Sequence, residues 1–184
     1  EMTDRLYGGT KEHRLGQELL LGVGGVRALR AYSRITGAPA PEVFHTNEGH
    51  AGFLGLERIR ELVQSQGLTF DEALQAARAG TVFTTHTPVP AGNEVFDAVL
   101  TRQYFAPRCV ELGIDPERFL ALGNNDHGQP GQPFNLTALA LRTSSRVNGV
   151  STSIATFRRE LGRHGLDLPL LCPDYAADGI ERAV

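Results

Sequence analysis

The chain is organised around the stretch TVFTTHTPVPAG, which spans residues 81–92. Its first half is rich in β-branched and aromatic residues, a composition typical of a buried strand. Pro88 and Pro90 cannot continue the strand because they lack a backbone donor, and Gly92 allows the chain to turn. His86 therefore lies where a predicted strand ends. Ligands of parallel α/β sheets bind at the carboxyl ends of strands, so a functional imidazole is expected there, although an isolated histidine is more often structural.

A second stretch, PEVFHTNEGH at residues 41–50, has the same layout of an extended apolar start and a polar loop. Helical patterns at 51–66 and 70–79 separate the two stretches. A crossover of that length predicts that 41–45 and 81–86 are adjacent parallel strands. One edge of the sheet would then present a polar group made of His45, Asn47, Glu48, His50 and His86.

The remaining pattern favours helices that flank this sheet. The helix 51–66 is predicted to turn Glu57 and Arg58 outward, with Arg60 and Glu61. Thr69 and Glu72 have the spacing of a capping box. The other predicted elements are helices at 11–32 (with Leu15, Leu19, Val23, Val26 and Leu29 inward), 96–112, 116–122 and 136–146, and a third strand that starts near Val147.

One glycine-rich run resembles a phosphate-binding loop, namely Gly22-Val23-Gly24-Gly25. It lacks the G-x-G-x-x-G spacing and lies within a helical pattern instead of following a strand. Close packing of helices is the better interpretation of these glycines.

Composition indicates a soluble globular domain. The 184 residues are 41% hydrophobic and carry a formal net charge of −3, which gives no support for a nucleic-acid or anionic-membrane partner. No apolar run approaches the roughly 20 residues of a membrane helix, and no signal peptide opens the chain. Cys109 and Cys172 have no metal-binding or redox spacing, so a cytoplasmic location is expected.

The polar group could serve metal binding, nucleophilic catalysis or sugar binding. His45 and His50 are five residues apart across a glycine, whereas zinc hydrolases place two histidines at i and i+4 on a helix, so no metal is expected. No G-x-S-x-G elbow supports a serine nucleophile. Sugar binding fits better, because hydroxyl groups need the fixed donors and acceptors that Asn, Glu and His supply.

Four motifs, in this order and spacing, resemble the bacterial α-glucan (glycogen/maltodextrin) phosphorylases over residues 4–151. They are EHRLGQE at 12–18, VFHTNEGHAGFLGLERIREL from Val43, TVFTTHTPVPAG from Thr81 and RVNGVS from Arg146. The resemblance implies an α/β fold, namely an incomplete Rossmann-like half-domain of the GT-B type with parallel strands and flanking helices. It also implies a glycosyltransferase that uses pyridoxal phosphate and inorganic phosphate to release glucose 1-phosphate from an α-1,4-glucan.

The resemblance also implies roles for individual residues. His86 matches the family histidine that hydrogen-bonds the transferred glucosyl unit and helps to stabilise its transition state. Asn47, Glu48 and His50 match residues that line the glucan access side next to it. Arg14 matches the arginine of the helix bordering this loop. Thr46 departs from the family pattern, which has leucine there.

The cofactor lysine of the family has no counterpart here, since Lys11 is the only lysine and begins a helix. An aldimine cannot form without its lysine, so this chain is expected to hold part of the sugar-binding wall and to be inactive alone. Two hypotheses stay open: a fragment of a catalytic enzyme, or a free-standing carbohydrate-binding or regulatory module. Remnants of a phosphorylase domain in the downstream DNA would favour the fragment.

The tail departs from the family pattern after Ser151. A hypothetical codon run, CTC CAT CGC GAC GTT TCG C, encodes Leu-His-Arg-Asp-Val-Ser, close to the family's run. Read one base later, it encodes Ser-Ile-Ala-Thr-Phe-Arg, as at residues 153–158. We therefore expect residues 1–151 to be a partial GT-B domain and 152–184 to be an out-of-frame tail, poorly ordered except for a short helix at 156–164. Simple divergence of a surface helix is the alternative.

Overall fold

Short strands alternate with helices along the chain. The computed structural model describes residues 2–3, 9–86, 94–124 and 131–149. Within these ranges the elements are, in chain order, α1 (Lys11–Leu19), a π-helical turn (Leu20–Gly24), α2 (Gly25–Thr36), β1 (Phe44–Asn47), α3 (Leu54–Gln66), α4 (Phe70–Ala79), β2 (Thr81–Thr85), β3 (Val95–Phe96), α5 (Ala98–Leu112), α6 (Pro116–Gly123), β4 (Phe134–Asn135), α7 (Leu136–Arg142) and β5 (Arg146–Gly149).

A parallel sheet forms the centre of the fold. Within the described residues it has three strands in the order β1-β2-β5. Asn47 of β1 lies opposite Thr84 of β2, which makes the two strands parallel neighbours as predicted. The strand β1 starts at Phe44, later than expected, and Val43 before it is exposed. The first ladder bond runs from the backbone nitrogen of Phe44 to the oxygen of Gly80 at 2.8 Å.

The crossover between β1 and β2 consists of α3 and α4, as the sequence predicted. Gly67 ends α3 in the left-handed conformation, with φ 69°. Thr69 caps α4 through the predicted capping box, since its side chain accepts from the backbone of Glu72 and the Glu72 carboxylate accepts from the backbone of Thr69. The resulting α/β arrangement of a parallel sheet with flanking helices is that of a partial Rossmann-like domain.

Four phenylalanine rings form the middle of the main hydrophobic core. The ring centroids of Phe53 and Phe105 are 4.6 Å apart, and those of Phe105 and Phe119 are 4.5 Å apart. Phe134 closes the group at 5.0 Å from Phe119. All four side chains are buried. This cluster packs α3, α5, α6 and β4 together, so helices with large sequence separation share one core.

The glycine run lies inside a helix that continues from Lys11 to Thr36 through the π-helical turn. A Cβ atom at Gly22 would lie 2.8 Å from the backbone nitrogen of Leu54 and 2.9 Å from the Cβ of Phe53. Gly22 therefore allows the π-helical turn to lie directly against the start of α3. Helix packing, and not phosphate binding, accounts for the position of this glycine.

The outward orientation predicted for Glu57 and Arg58 is wrong, because both side chains are buried. The Glu57 carboxylate accepts hydrogen bonds from Arg27 and Arg60 at 2.7 and 2.8 Å. Burial raises the pKa of Glu57, but these hydrogen bonds outweigh it and lower the pKa overall. The Arg58 guanidinium lies 4.4 Å from the centroid of the Phe44 ring, and burial lowers its pKa. Arg27 of α2, the backbone oxygen of Ala77 on α4 and the Phe44 ring of β1 thus compensate charges that the helical pattern assigned to solvent.

Three further features differ from what the sequence pattern predicted. Leu29, predicted inward, is exposed on α2. The last helix ends at Arg142, before 146, because Thr143 and Ser144 turn the chain toward β5. The antiparallel pair of β3 and β4 had no counterpart in the sequence analysis. The third strand is confirmed and pairs with β2 in parallel. The predictions for the tail at 152–184 fall outside the described residues.

Candidate functional site

The Glu48 carboxylate joins the loop after β1 to the end of β2. One of its oxygens accepts the Thr85 hydroxyl at 3.1 Å, and the other accepts the backbone N–H of His86 at 2.6 Å. The backbone nitrogen of Glu48 in turn donates to the oxygen of Thr84 at 2.7 Å. These bonds hold the start of the His86 loop against the end of β1, so the predicted meeting of the two loops at one sheet edge is observed.

Glu48 adopts an uncommon backbone conformation to make these contacts. Its φ is 55°, in the left-handed region that residues other than glycine rarely occupy. The turn it creates directs the carboxylate back toward β2, and the side chain is buried. A strained residue whose side chain satisfies several donors is a common feature of functional loops.

Exposed polar side chains flank the buried Glu48. His86 and Asn47 are both exposed to solvent at the carboxyl ends of β2 and β1. His45, which the sequence grouped with them, is hydrogen-bonded to the Thr84 hydroxyl across the strand pair at 2.6 Å. The exposed imidazole of His86 and the exposed amide of Asn47 can therefore reach a ligand at this edge.

A second buried carboxylate, Glu18 on α1, connects that helix to the loop after β1. Its Oε1 atom accepts the Nδ1–H of His50 at 3.0 Å and also accepts from the Arg14 guanidinium. Arg14 is buried as well, and its guanidinium lies 3.7 Å from the Glu94 carboxylate. The His50 side chain is 30% exposed, so part of its ring contacts solvent while its Nδ1 atom is hydrogen-bonded to the buried Glu18.

The pKa of His50 is raised from its ordinary value. The hydrogen bond to Glu18 is the largest cause and outweighs burial, which lowers the pKa; the Glu18 charge raises it further, while the Arg14 charge lowers it. A larger fraction of His50 is therefore protonated near neutral pH than for a free histidine.

The structure thus unites the predicted residues in two linked groups. Glu48 and His86 meet directly, whereas Arg14 and His50 meet through Glu18. The site analysis of the sequence missed Glu18 and Thr85. For Glu18 a signal existed, because Arg14 and Glu18 are at i and i+4 and must share a helix face. For Thr85, one more threonine in a strand, no signal existed.

Two negative observations concern the part of the chain that the structure describes. No group of three or more His, Cys, Asp or Glu side chains is arranged there to hold a metal ion. In the same ranges, none of the helices combines the length and apolar character of a bilayer-spanning segment.

Comparisons with known proteins identify the relatives of this chain, although no family model matches it. The glycogen phosphorylase of Mycobacterium tuberculosis (strain ATCC 25618 / H37Rv) is 51% identical over 156 residues, which cover 82% of this chain and 18% of that protein. The maltodextrin phosphorylase of Thermococcus litoralis is 42% identical over 161 residues, which cover 88% and 18%. The glycogen phosphorylase of Aquifex aeolicus is 34% identical over 151 residues, which cover 82% and 21%.

The chain thus spans about a fifth of the length of the curated relatives that it matches. Over that span the identity to the first relative exceeds half of the aligned positions. Over this one segment, the chain is therefore homologous to glycogen and maltodextrin phosphorylases.

Proposed function

We propose that this segment forms part of the glucosyl-binding wall of an α-glucan phosphorylase. In this proposal the complete protein is a cytoplasmic GT-B glycosyltransferase of carbohydrate metabolism, which transfers glucosyl units from an α-1,4-glucan or maltodextrin to inorganic phosphate. The observation that carries the proposal is the Glu48 carboxylate, which bonds the His86 backbone and so fixes an exposed imidazole at the carboxyl edge of a parallel sheet.

Exposure divides the proposed site residues into two roles. His86 and Asn47 are exposed, and His50 is partly exposed, so these side chains contact the glucan. His86 donates to the glucosyl unit and stabilises the charge that develops in the transition state. Glu48 and Arg14 are buried, so they stabilise the positions of the site loops without contacting the glucan.

The described residues do not fit a pyridoxal phosphate site. Enzymes of this cofactor hold it through a Schiff base on lysine, and Lys11 is the only lysine of the chain. Its side chain is 65% exposed, and its Nζ atom lies 3.2 Å from the Glu94 carboxylate. The cofactor and phosphate chemistry of the family therefore has to come from residues outside this sequence, and the 184 residues alone are inactive.

The same observation supports a second candidate, a carbohydrate-binding or regulatory module without catalysis. Such a module would retain the sugar-facing wall and would need no cofactor lysine. Sequencing the DNA downstream of the gene separates the candidates. A coding remnant of a phosphorylase catalytic domain supports the enzyme, whereas a clean stop followed by an independent promoter supports the module.

The experiment that tests the proposed function is His86→Ala in a full-length phosphorylase that carries this segment. Losing one preorganised donor to the transition state lowers turnover by on the order of a hundredfold or more. Turnover is followed as release of glucose 1-phosphate from maltodextrin. His13→Ala serves as the control, since His13 lies on α1 beside Gln17 and has no proposed contact with the glucan. Equal turnover of the His86 variant and the wild type would refute the role of His86.

A further inference from the structure

Glu18 is a buried ionisable residue that the proposed function does not yet use. Its side chain is 2% exposed, and Oε1 accepts from both Arg14 and His50. Among the described residues, Oε2 has no hydrogen-bond partner. Burying a carboxylate with one unpaired oxygen costs free energy, so a core position alone is a poor reason for an acid here.

The geometry of α1 explains how the carboxylate reaches the site. Thr10 caps the helix by accepting from the backbone of His13. Arg14 and Glu18 then lie one turn apart on the same face, and the guanidinium compensates the carboxylate within the helix itself. Because the charges of the ion pair cancel, the pair can be buried against the loop after β1, where Glu18 contacts His50.

We propose that Glu18 is the positioning residue for His50. The carboxylate fixes the plane of the imidazole and assigns its proton to Nδ1, while Arg14 holds the carboxylate in place. This inference rests on the proposed function, because it assumes that the exposed part of His50 contacts the glucan. It assigns Glu18 to the site through His50 and not through a contact with the sugar.

Among the described residues, the charged groups that shift the pKa of His50 come from two segments. Glu18 and Arg14 are on α1, and Glu94 lies just before β3, where it also pairs with Lys11. The bond to Glu18 is the largest of their effects on the pKa of His50 and the one that raises it most. Replacing Glu18 by a neutral isostere therefore lowers the pKa of His50 toward the ordinary histidine value of about 6.5.

Nitrogen NMR of the ¹⁵N-histidine-labelled 184-residue chain tests the positioning directly. In the wild type, neutral His50 carries its proton on Nδ1. In Glu18→Gln, the pKa of His50 falls and the preference for this tautomer weakens. Glu57→Gln is the matched control, because Glu57 is equally buried and arginine-paired but has no bond to His50. An Nε2–H tautomer in the wild type overturns the proposal without any need for a folded variant.

Kinetics of a full-length phosphorylase with this segment test the link to glucan. Glu18→Gln raises KM for maltodextrin by on the order of tenfold, the range for one charge-assisted hydrogen bond. In a His50→Gln background the same change has little further effect, because the group that Glu18 positions is already gone. Additive effects, or an unchanged KM, overturn the proposal. The NMR result depends on no activity, so failure of the His86 test leaves it interpretable.

Discussion

At the scale of single residues, the candidate site depends on two buried carboxylates with different partners. Glu48 accepts from Thr85 and from the backbone of His86, and it connects two loops. Glu18 accepts from a guanidinium and an imidazole, and it connects a helix to one of those loops. Each carboxylate is buried and bonded to at least one residue that is distant in sequence, so each constrains the tertiary structure of the site.

The residue-scale prediction concerns the contacts and the backbone conformation of Glu48. Glu48→Ala leaves the Thr85 hydroxyl and the His86 N–H without this acceptor and lowers the free energy of unfolding by about 1–3 kcal/mol. Glu48→Gly loses the same contacts, but glycine adopts φ 55° without steric cost, so its loss is smaller. Urea unfolding of both variants gives the comparison. A glycine variant less stable than the alanine variant would contradict a strained φ at this position.

At the scale of elements, close approach decides where the first helix lies. The helix from Lys11 to Thr36 changes to a π-helical turn at Leu20, and Gly22 in that turn contacts the start of α3. Two ion pairs, Arg27–Glu57 and Arg30–Glu61, then join α2 to α3. Helix α1 is thereby positioned to present Glu18 to the site loop.

Gly22 and Gly25 provide a matched pair of substitutions at this scale. Gly22→Ala places a methyl group 2.8 Å from the Leu54 nitrogen, and such overpacking costs about 1–3 kcal/mol of the free energy of unfolding. At Gly25 an added Cβ meets nothing within 4 Å. Gly25→Ala therefore stabilises the helix by about 0.5–1 kcal/mol. Thermal unfolding followed by circular dichroism measures both, and shifts of the same sign would argue against the packing role of Gly22.

At the scale of the whole molecule, the chain aligns with about a fifth of the length of its curated relatives. In the part of the chain that the structure describes, β2 is the only strand of the parallel sheet with a neighbour on both sides. Exposed edge strands are normally covered or paired, so we propose that the sheet extends past β1 or β5 where this segment is part of a longer phosphorylase.

The 184-residue chain is expected to show no phosphorolysis by itself. It has no lysine suited to the cofactor, so added pyridoxal phosphate does not restore activity. The measurement is glucose 1-phosphate released from maltodextrin and phosphate, with a boiled sample as the blank. A full-length family member assayed in parallel confirms that the substrate and cofactor are competent. Release above the blank would contradict the assignment of catalysis to residues outside this sequence.

The reading frame of the tail is the last whole-molecule prediction. We propose that residues 152–184 are translated out of frame, so that the partial domain ends near Ser151. Translating an alternative frame after the Ser151 codon is expected to recover a Leu-His turn and then the rest of a phosphorylase. The nucleotide sequence decides this. If neither alternative frame yields such a sequence, the tail has diverged in frame.

Local pattern in the sequence was sufficient for the parts of the fold that depend on short-range chemistry. The alternation of helices with β-branched strands predicted the parallel pairing of β1 and β2, and Thr69 and Glu72 predicted a helix start. Two polar loops at neighbouring strand ends predicted that Glu48 and His86 would meet, and motif resemblance indicated the family that the relatives confirm.

Only the tertiary structure decided which charges are buried and what they hold. Glu57 and Arg58 have the helical positions of solvent-exposed residues, but arginines of α2 and α3, and the ring of Phe44, enclose them. In the sequence, Glu18 looks like any acidic residue of a helix. Its role becomes visible only in the tertiary structure, where α1 packs against the loop that carries His50. Burial of a charge depends on partners that are far away in sequence, and a one-dimensional pattern does not contain those distances.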